Sequence, residues 1–277
     1  MKILAILNIT PDSFYDGGKF LKLEDALKQA EKLIQEGADI IDIGGESSRP
    51  GSVPISVEEE KKRVIPVIKE IKKSFPQIPL SIDSYKYEVV KEALENGVEF
   101  INDIYALRYS PQIIQLLKNF PKTKIILMHM QGTPQTMQLN PHYPKGVVEE
   151  IKEFFIERVK FLLDNGISTD RIILDPGIGF GKNTQHNIDI LKNLDEFKNL
   201  ILEGKNLSFP ILIGLSRKSF IGRILGSEEN PLPPQDRYEG TIVLHTYCIL
   251  KGVDYLRVHD VKPTKQAVKI LELIINY

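Results

Sequence analysis

The sequence predicts an α/β fold, a (β/α)8 barrel formed by one domain that spans residues 1–277. Short apolar runs alternate along the chain with segments of helical spacing, which is typical of a parallel sheet. Each apolar run ends on a polar residue, as expected where active-site loops leave a barrel. A chain of 277 residues, 42% of them hydrophobic, suffices for one such barrel, which needs about 250 residues.

The predicted strands share a polar ending, so their carboxyl ends should meet at one end of the barrel. In chain order, the polar endings are Asn8, the run from Asp42 to Arg49, Asp83, Asn102, His129, Asp175, Lys218 and His259.

Apolar residues at i, i+3, i+4 and i+7 predict the helices between these strands. The predicted helices are 23–34, 57–75, 88–96, 111–119, 147–163, 187–199, 241–250 and 264–275. Gly37 and Gly166 stand where the first and the fifth of them need a left-handed end.

Three loops that follow strands are longer and richer in Gly, Pro and Ser than simple turns. They comprise residues 10–20, 44–56 and 130–146. Long loops at this end of a barrel usually carry function, so we expect them to cover a pocket. A fourth, Pro-rich loop at 226–237 is interpreted as a surface excursion.

Composition excludes several classes of protein. With 36 Lys and Arg against 37 Asp and Glu, no overall field attracts nucleic acid or anionic lipid. The single cysteine, Cys248, cannot form an internal disulfide or a thiolate metal cluster, which suits the cytoplasm. The apolar start of the chain is too short for a membrane span and is interpreted as the first strand.

Arg257 and His259 are two residues apart on the last strand, so both should point the same way. This pair predicts an anion site, and the alternative is a surface ion pair with Asp260. Ser216 and Lys218 share a face where the seventh strand ends, a common phosphate-binding position in this fold. There Lys218 could bind an anion, donate to a carbonyl or form a Schiff base, or could be an ordinary solvated charge like Arg217.

Asp83, Asn102 and Asp175 follow strongly apolar residues and should lie partly desolvated at the barrel mouth. Buried carboxylates need donors, and a flat heterocycle with an NH–C–NH2 edge offers two parallel hydrogen bonds. The alternative for any one of them is a helix cap. In the run LDPGIGFGKN the glycine spacing does not fit phosphate-loop patterns. Phe180 in that run could form a pocket wall or belong to the core.

Asn8 offers one neutral oxygen, which is adequate for a Mg²⁺ ion that takes its other ligands from water and phosphate. His129 and His245 are interpreted as structural histidines, whereas His142 and His186 receive no assignment.

Taken in order, the motifs ILNITPDSFYDGG, GADIIDIGGESSRPGS, SIDS, IND, LMHMQGTP, LDPGIGFGKN, GLSRKSFIG and LRVHDV resemble the dihydropteroate synthase family of pterin-binding enzymes over essentially the whole chain. The resemblance implies a TIM barrel, a homodimer, and the joining of 6-hydroxymethyl-7,8-dihydropterin diphosphate to 4-aminobenzoate. That reaction belongs to folate biosynthesis, uses Mg²⁺, and is inhibited by sulfonamides that compete with 4-aminobenzoate.

The resemblance also implies residue roles. The pterin's polar edges would be held by Asp83, Asn102, Asp175 and Lys218, and its ring would contact Ile6, Ile104, Met128 and Phe180. The diphosphate and its metal would be held by Asn8, Arg257 and His259, and 4-aminobenzoate would be bordered by Ser48, Arg49, Pro50, Phe180 and Ser219. Of these residues, Arg257, His259, Lys218 and Asp83 are the predicted catalytic set. The loops 9–18 and 45–52 would close over the reacting centre.

Three positions depart from the family pattern. Ser48 and Ser84 each replace a threonine, the second with little consequence expected. Tyr105 stands where small residues are common, so it could crowd the pocket or point outward. Three other functions remain possible from sequence: a corrinoid methyltransferase with a related pterin pocket, a Schiff-base aldolase that uses Lys218, and a barrel that binds a pterin without catalysis.

Overall fold

In a computed structural model, residues 1–10 and 23–275 form a ring of parallel strands surrounded by helices. The barrel strands are β1 (Lys2–Asn8), β2 (Ile40–Gly44), β3 (Leu80–Asp83), β4 (Phe100–Asp103), β5 (Lys124–Met128), β6 (Ile172–Asp175), β9 (Leu212–Ile213) and β10 (Tyr255–Val258). Their spatial order is β6-β5-β4-β3-β2-β1-β10-β9. A single parallel bridge between Leu174 and Ile211 closes the ring. The predicted barrel is therefore confirmed.

The helices lie between the strands in chain order. They are α1 (Leu23–Gln35), α2 (Val57–Ser74), α3 (Tyr87–Glu95), α4 (Ile113–Asn119), α5 (Val147–Asp164), α6 (Thr184–Lys192), α7 (Asp195–Lys198), α8 (Ser219–Leu225), α9 (Tyr238–Leu250) and α10 (Val261–Ile275). Gly37 and Gly166 adopt the left-handed backbone that the sequence predicted, with φ of +100° and +82°. No helix in residues 23–275 combines the length and hydrophobicity needed to cross a lipid bilayer.

Two layers of apolar side chains hold the barrel. Outward-facing strand residues such as Ile41 and Ile82 join the helices in the large core. Inward-facing residues form a separate buried cluster, which we call the floor: Leu4, Ile40, Phe100, Ile126, Ile173, Leu212 and Tyr255. Because side chains alternate along a strand, the next inward positions lie between the floor and the carboxyl end of the barrel, the mouth.

The predicted helix 187–199 is interrupted at residues 193–194 and ends at residue 198. The chain forms α6 and the short α7 and then a hairpin of β7 (Asn199–Leu202) and β8 (Lys205–Ser208). The buried residues Leu191, Leu194, Phe197 and Leu200 are spaced three apart, which imitates one helix, although Leu191 lies on α6, Leu194 between the helices, Phe197 on α7 and Leu200 on β7.

The region after the predicted seventh strand also differs from expectation. β9 contains only two residues, and the chain turns at Arg217, whose φ is +56°. The unpredicted helix α8 begins directly after Lys218. Its helical signal in the sequence is weakened by Gly222, which the close approach of the Leu232 carbonyl oxygen requires, because a Cβ atom would lie 2.6 Å from it.

Candidate active site

An arginine and two aspartates form the centre of the mouth. Arg257 donates from Nε to Asp42 Oδ2 at 2.6 Å and from Nη2 to Asp83 Oδ2 at 2.5 Å. Asp42 also accepts from Asn102 Nδ2 at 3.1 Å, and it is fully buried. The floor residues below these groups are apolar, so this network is a polar layer at the base of the mouth. Within this layer, Asp42 Oδ1 has no hydrogen-bond partner among the described residues.

Burial and charge act in opposite directions on this layer. Burial raises the pKa of the Asp83 carboxyl to about 7 although Arg257 opposes the shift, and the charge of Asp42 adds to it. Burial would lower the pKa of Arg257, but Asp42 and Asp83 reverse that effect and raise it. The site therefore contains a permanent cation beside a carboxyl group whose charged form is disfavoured by burial.

Lys218 and Asp175 approach the mouth from the opposite side of the barrel. The ammonium nitrogen of Lys218 lies 4.2 Å from the ring centroid of Phe180 and donates to the carbonyl oxygen of Ile178. Burial lowers the pKa of Lys218 to about 7, and Asp175 opposes the shift. Burial raises the pKa of Asp175, and Lys218 opposes that shift. Each residue therefore keeps its partner closer to the charged state.

The glycine-rich segment after β6 places Phe180 at the mouth. Gly177 has φ of +68°, and a Cβ atom there would lie 2.0 Å from the carbonyl oxygen of His129. The interpretation that these glycines permit close backbone approach is confirmed. Phe180 is half-buried beside Met128 and Ile104, which makes it a wall of the mouth and not part of the main core.

The other predicted ring contacts lie at the same end of the barrel. Ile6 is an inward residue of β1 beside Asp42 in the register, and it is partly exposed. The Tyr105 side chain packs against the protein, since its ring meets that of Tyr85 edge to face at a centroid distance of 4.8 Å. The tyrosine pair lies at the rim of the cluster that contains Ile104 and Met128.

His259 and Asn8 flank the polar layer. The Nδ1 atom of His259 lies 3.1 Å from Ser216 Oγ. Desolvation of the imidazole ring lowers the pKa of His259 to about 4, and the positive charge of Arg257 contributes to the shift. The residue nevertheless keeps an exposed surface at the mouth. Asn8 ends β1, and its Oδ1 faces Gly44, where a Cβ atom would lie 3.4 Å away.

The structure contradicts the alternative in which Arg257 and His259 form a surface ion pair with Asp260. Asp260 instead receives two hydrogen bonds from Arg217, each at 2.8 Å. The alternative of Arg217 as a solvated charge is therefore wrong as well. The loop 226–237 is also more than a surface excursion, since Arg237 at its end donates to the Arg217 carbonyl oxygen at 3.0 Å.

The predicted aminobenzoate residues lie on two segments. Ser48 is half-buried, and Arg49 and Pro50 are exposed on the loop after β2. Ser219 is exposed at the start of α8, directly after Lys218. Residues 11–20 of the first predicted covering loop lie outside the described residues.

Sequence reasoning missed two buried groups at the mouth. The sequence analysis assigned no role to Asp42. Its inward position could have been predicted, because side chains alternate between the two faces of a strand and Asp42 is two residues after the inward-facing Ile40 of β2. Lys182 is also buried, and its Nζ lies 2.9 Å from His129 Nδ1 and donates to the Phe180 carbonyl oxygen at 2.9 Å. His129 is therefore structural as predicted, and so is His245, which is buried between α9 and α10 against Thr264.

Comparisons with known proteins agree with this architecture. The model of the pterin binding enzyme family matches residues 4–259. Dihydropteroate synthase of Synechocystis is 42% identical over 272 residues, which cover 98% of this chain and 89% of that protein.

Two crystal structures are similar over the whole chain. The Yersinia pestis dihydropteroate synthase, in a sulfonamide drug complex, has a TM-score of 0.88 and 37% identity, and the match covers 100% of this chain and 94% of that one. The Clostridium difficile dihydropteroate synthase, crystallised in the presence of pteroic acid, has a TM-score of 0.87 and 41% identity, and the match covers 99% and 96%. The chain therefore belongs to the pterin-binding enzyme family, and within it to the dihydropteroate synthases.

Proposed function

We propose that the protein condenses 6-hydroxymethyl-7,8-dihydropterin diphosphate with 4-aminobenzoate, which gives 7,8-dihydropteroate and diphosphate in folate biosynthesis. One observation carries the proposal. Carboxyl, amide and ammonium groups from four different strand ends meet around a mouth with an apolar floor and an aromatic wall. A flat heterocycle with polar edges and a charged tail suits such a mouth.

The pterin is held by the polar groups on the two sides of the mouth. Asp83 and Asn102 would take one edge, and Asp175 and Lys218 would take the other. Asp175 already accepts one hydrogen bond from the Gly177 N–H at 2.8 Å, so its second oxygen is available for an N–C–N edge. The ring would contact Ile6, Ile104, Met128 and Phe180.

The diphosphate would be held by Arg257 and His259, and Asn8 would be a protein ligand of Mg²⁺. The donor set fits that ion, because a neutral amide oxygen at the mouth leaves most coordination positions to water and phosphate oxygens. When bound, the ion neutralises charge on the departing diphosphate. Arg257 contributes a permanent positive charge at the same place.

The arylamine needs no strong base. It is neutral at pH 7, and the pterin ring stabilises positive charge on the methylene carbon that it attacks. The carbon–oxygen bond to diphosphate breaks first, and Arg257 and His259 stabilise the leaving charge. The amine then attacks the cation and afterwards loses a proton to solvent. Ser48, Arg49, Pro50, Phe180 and Ser219 would orient the aminobenzoate and exclude competing water.

Diphosphate release tests this function directly. The wild-type protein is mixed with pterin diphosphate, with and without 4-aminobenzoate and with and without Mg²⁺, and both diphosphate and dihydropteroate are measured. We expect both products only in the complete mixture. Diphosphate without dihydropteroate, or tight pterin binding without turnover, would contradict the proposed reaction.

We also propose that two copies associate through α9 and α10. Large apolar side chains are exposed on these neighbouring helices, at Val243, Leu250, Ile270, Leu273 and Ile274. An extended apolar surface of this kind favours a protein partner, and a second copy of the chain supplies the same surface. Sedimentation of the wild type and of Val243→Glu tests this, with a shift of the variant to the monomer expected.

A cytoplasmic location, suited to the free and buried Cys248, completes the proposal.

A further inference from the structure

The loop after β2, residues 46–55, is closed at its base by a buried ion pair. Glu46 Oε2 accepts from the Ile55 N–H at 2.8 Å, so the first and last residues of the loop are joined. Lys86 Nζ donates to Glu46 Oε2 at 2.7 Å and to the Ile55 carbonyl oxygen at 2.6 Å. One ammonium group therefore holds both ends of the loop.

This contact is buried and anchored to the barrel. The side chains of Lys86 and Glu46 are 7% and 10% exposed, and Lys86 also pairs with the buried Glu60 of α2 at 2.7 Å. Tyr85 donates from its hydroxyl to Glu46 Oε1 at 2.7 Å. Both oxygens of Glu46 are thus occupied, and charge-assisted hydrogen bonds of this kind are about twice as strong as neutral ones.

The far end of the same loop rests on another loop. The Gly51 N–H donates to the Pro134 carbonyl oxygen at 3.0 Å, and Gln135 Nε2 donates to the Ser52 carbonyl oxygen at 2.8 Å. Pro134 and Gln135 belong to the connection between β5 and α5. The loop therefore extends from β2 towards the connection after β5. It is held at its base by Lys86 and at its tip by Pro134 and Gln135.

Ser48, Arg49 and Pro50 lie between these two anchors, and the hydrogen bonds and ion pairs of the clamp formed by Glu46, Tyr85 and Lys86 do not involve them. We propose that Glu46 is a positioning residue for the acceptor. Its clamp sets the loop in place before 4-aminobenzoate binds, so that binding need not order the loop. Tyr85 also packs in the cluster that contains Ile104 and Met128, so the clamp meets the pterin side of the mouth through this ring, whereas Glu46 is not part of that cluster. The inference rests on the proposed function, because it takes these three residues as the border of the aminobenzoate.

The test compares substrate dependences of Glu46→Gln with those of the wild type. Glutamine keeps the size of the side chain but removes the charge that attracts Lys86. We expect the KM for 4-aminobenzoate to rise about tenfold, the factor expected when one charge-assisted contact is lost. The KM for pterin diphosphate should stay within about twofold, because the substitution leaves the Tyr85 ring and its packing against Ile104 and Met128 unchanged.

Tyr85→Phe provides a second variant that keeps the aromatic packing. It removes one hydrogen bond to Glu46, so we expect a smaller rise in the same KM. Glu99→Gln is the matched control, because Glu99 likewise binds a lysine and a backbone N–H, those of Lys72 at 2.7 Å and Leu80 at 2.9 Å. Leu80 begins β3, at the opposite end of the barrel. Glu99→Gln should leave both KM values unchanged.

Amide hydrogen exchange of the substrate-free variants separates this inference from the proposed function. In Glu46→Gln the loop amides from Ser47 to Ile55 should exchange at least about fivefold faster than in wild type, because the closed base restrains local opening. The strands should not change. Unchanged exchange and an unchanged KM for 4-aminobenzoate would overturn the clamp, even in an active enzyme. Equal rises in both KM values would also overturn it. A wild type that makes no dihydropteroate would reject the proposed function, whatever the exchange shows.

Discussion

Arg217 and Asp260 form a two-pronged ion pair, with Nε bonded to Oδ2 and Nη2 bonded to Oδ1, both at 2.8 Å. Arg217 directly precedes Lys218, and Asp260 directly follows His259. The pair therefore joins the two segments that deliver these side chains to the mouth. The turn at Arg217 requires a left-handed backbone, which the pair and the bond from its N–H to Thr241 Oγ1 at 3.0 Å stabilise.

Arg217→Lys should lower kcat/KM for pterin diphosphate by about tenfold, since a lysine cannot make both parallel hydrogen bonds. Steady-state kinetics measure this effect. Arg223→Lys is the matched control, because Arg223 lies on α8 and pairs with the exposed Glu228 beyond the end of that helix. A value of kcat/KM in Arg217→Lys equal to that of the control would show that the pair does not position Lys218.

Asp42→Asn should destabilise the fold and weaken pterin binding. Asparagine would face the Arg257 guanidinium without a charge, and the loss of one partner from a buried pair costs about 3–5 kcal/mol. Urea unfolding measures the stability, and calorimetry measures the affinity for pterin diphosphate. Asp39→Asn, at the start of β2, is a suitable comparison because its partner Lys265 is partly exposed. A stable Asp42→Asn variant with wild-type affinity would contradict this role.

Asp175→Asn should weaken the binding of pterin diphosphate by about 2–4 kcal/mol, because the heterocycle loses a charged acceptor at its N–C–N edge. Titration calorimetry of the empty protein measures this affinity. Asp170→Asn serves as control, since Asp170 precedes the same strand at the opposite end of the barrel. If calorimetry finds the same affinity for both variants, Asp175 does not contact the pterin.

Acid should destabilise the protein through His245. Burial lowers the pKa of this fully buried histidine to about 4, from an ordinary value of 6.5. The unfolded state therefore binds the proton first, and stability is lost as the pH falls from 6.5 towards 4, by up to about 3 kcal/mol. Urea unfolding at pH 7 and pH 5 should show a smaller loss for His245→Asn than for the wild type. His142→Asn, at an exposed histidine, should keep the wild-type pH dependence.

Local sequence pattern was sufficient to predict most of the barrel. Strands such as β3 and β6 are short apolar runs that end on a charge, and helices such as α2 have strong periodicity with a cap, Ser56, whose hydroxyl accepts from the Glu59 N–H at 3.1 Å. These signals depend on neighbours in the sequence. The failures occurred where apolar spacing of three residues continued across the break between α6 and α7, and where Gly222 weakened the helical signal of α8.

Pairings between distant segments could not be predicted in the same way. Nothing near Asp42 shows that its partner is Arg257, 215 residues later, or that Asp260 would pair with Arg217 and not with Arg257. Such partners depend on strand register around the closed ring. The mouth could be located from strand endings, but its internal hydrogen bonds required the assembled barrel.

The position of β10 in the ring has a consequence for biosynthesis. β1 pairs with β2 on one side and with β10 on the other, so the first strand of the barrel keeps an open edge until residues 255–258 have been synthesised. Arg257 arrives with that last strand. Until then Asp42 and Asp83 face the interior without their common cation, which opposes dehydration of the nascent barrel. Neutralisation of these charges and closure of the ring thus coincide with the synthesis of β10, and a chaperone that shields the edge of β1 would have its greatest effect before that point.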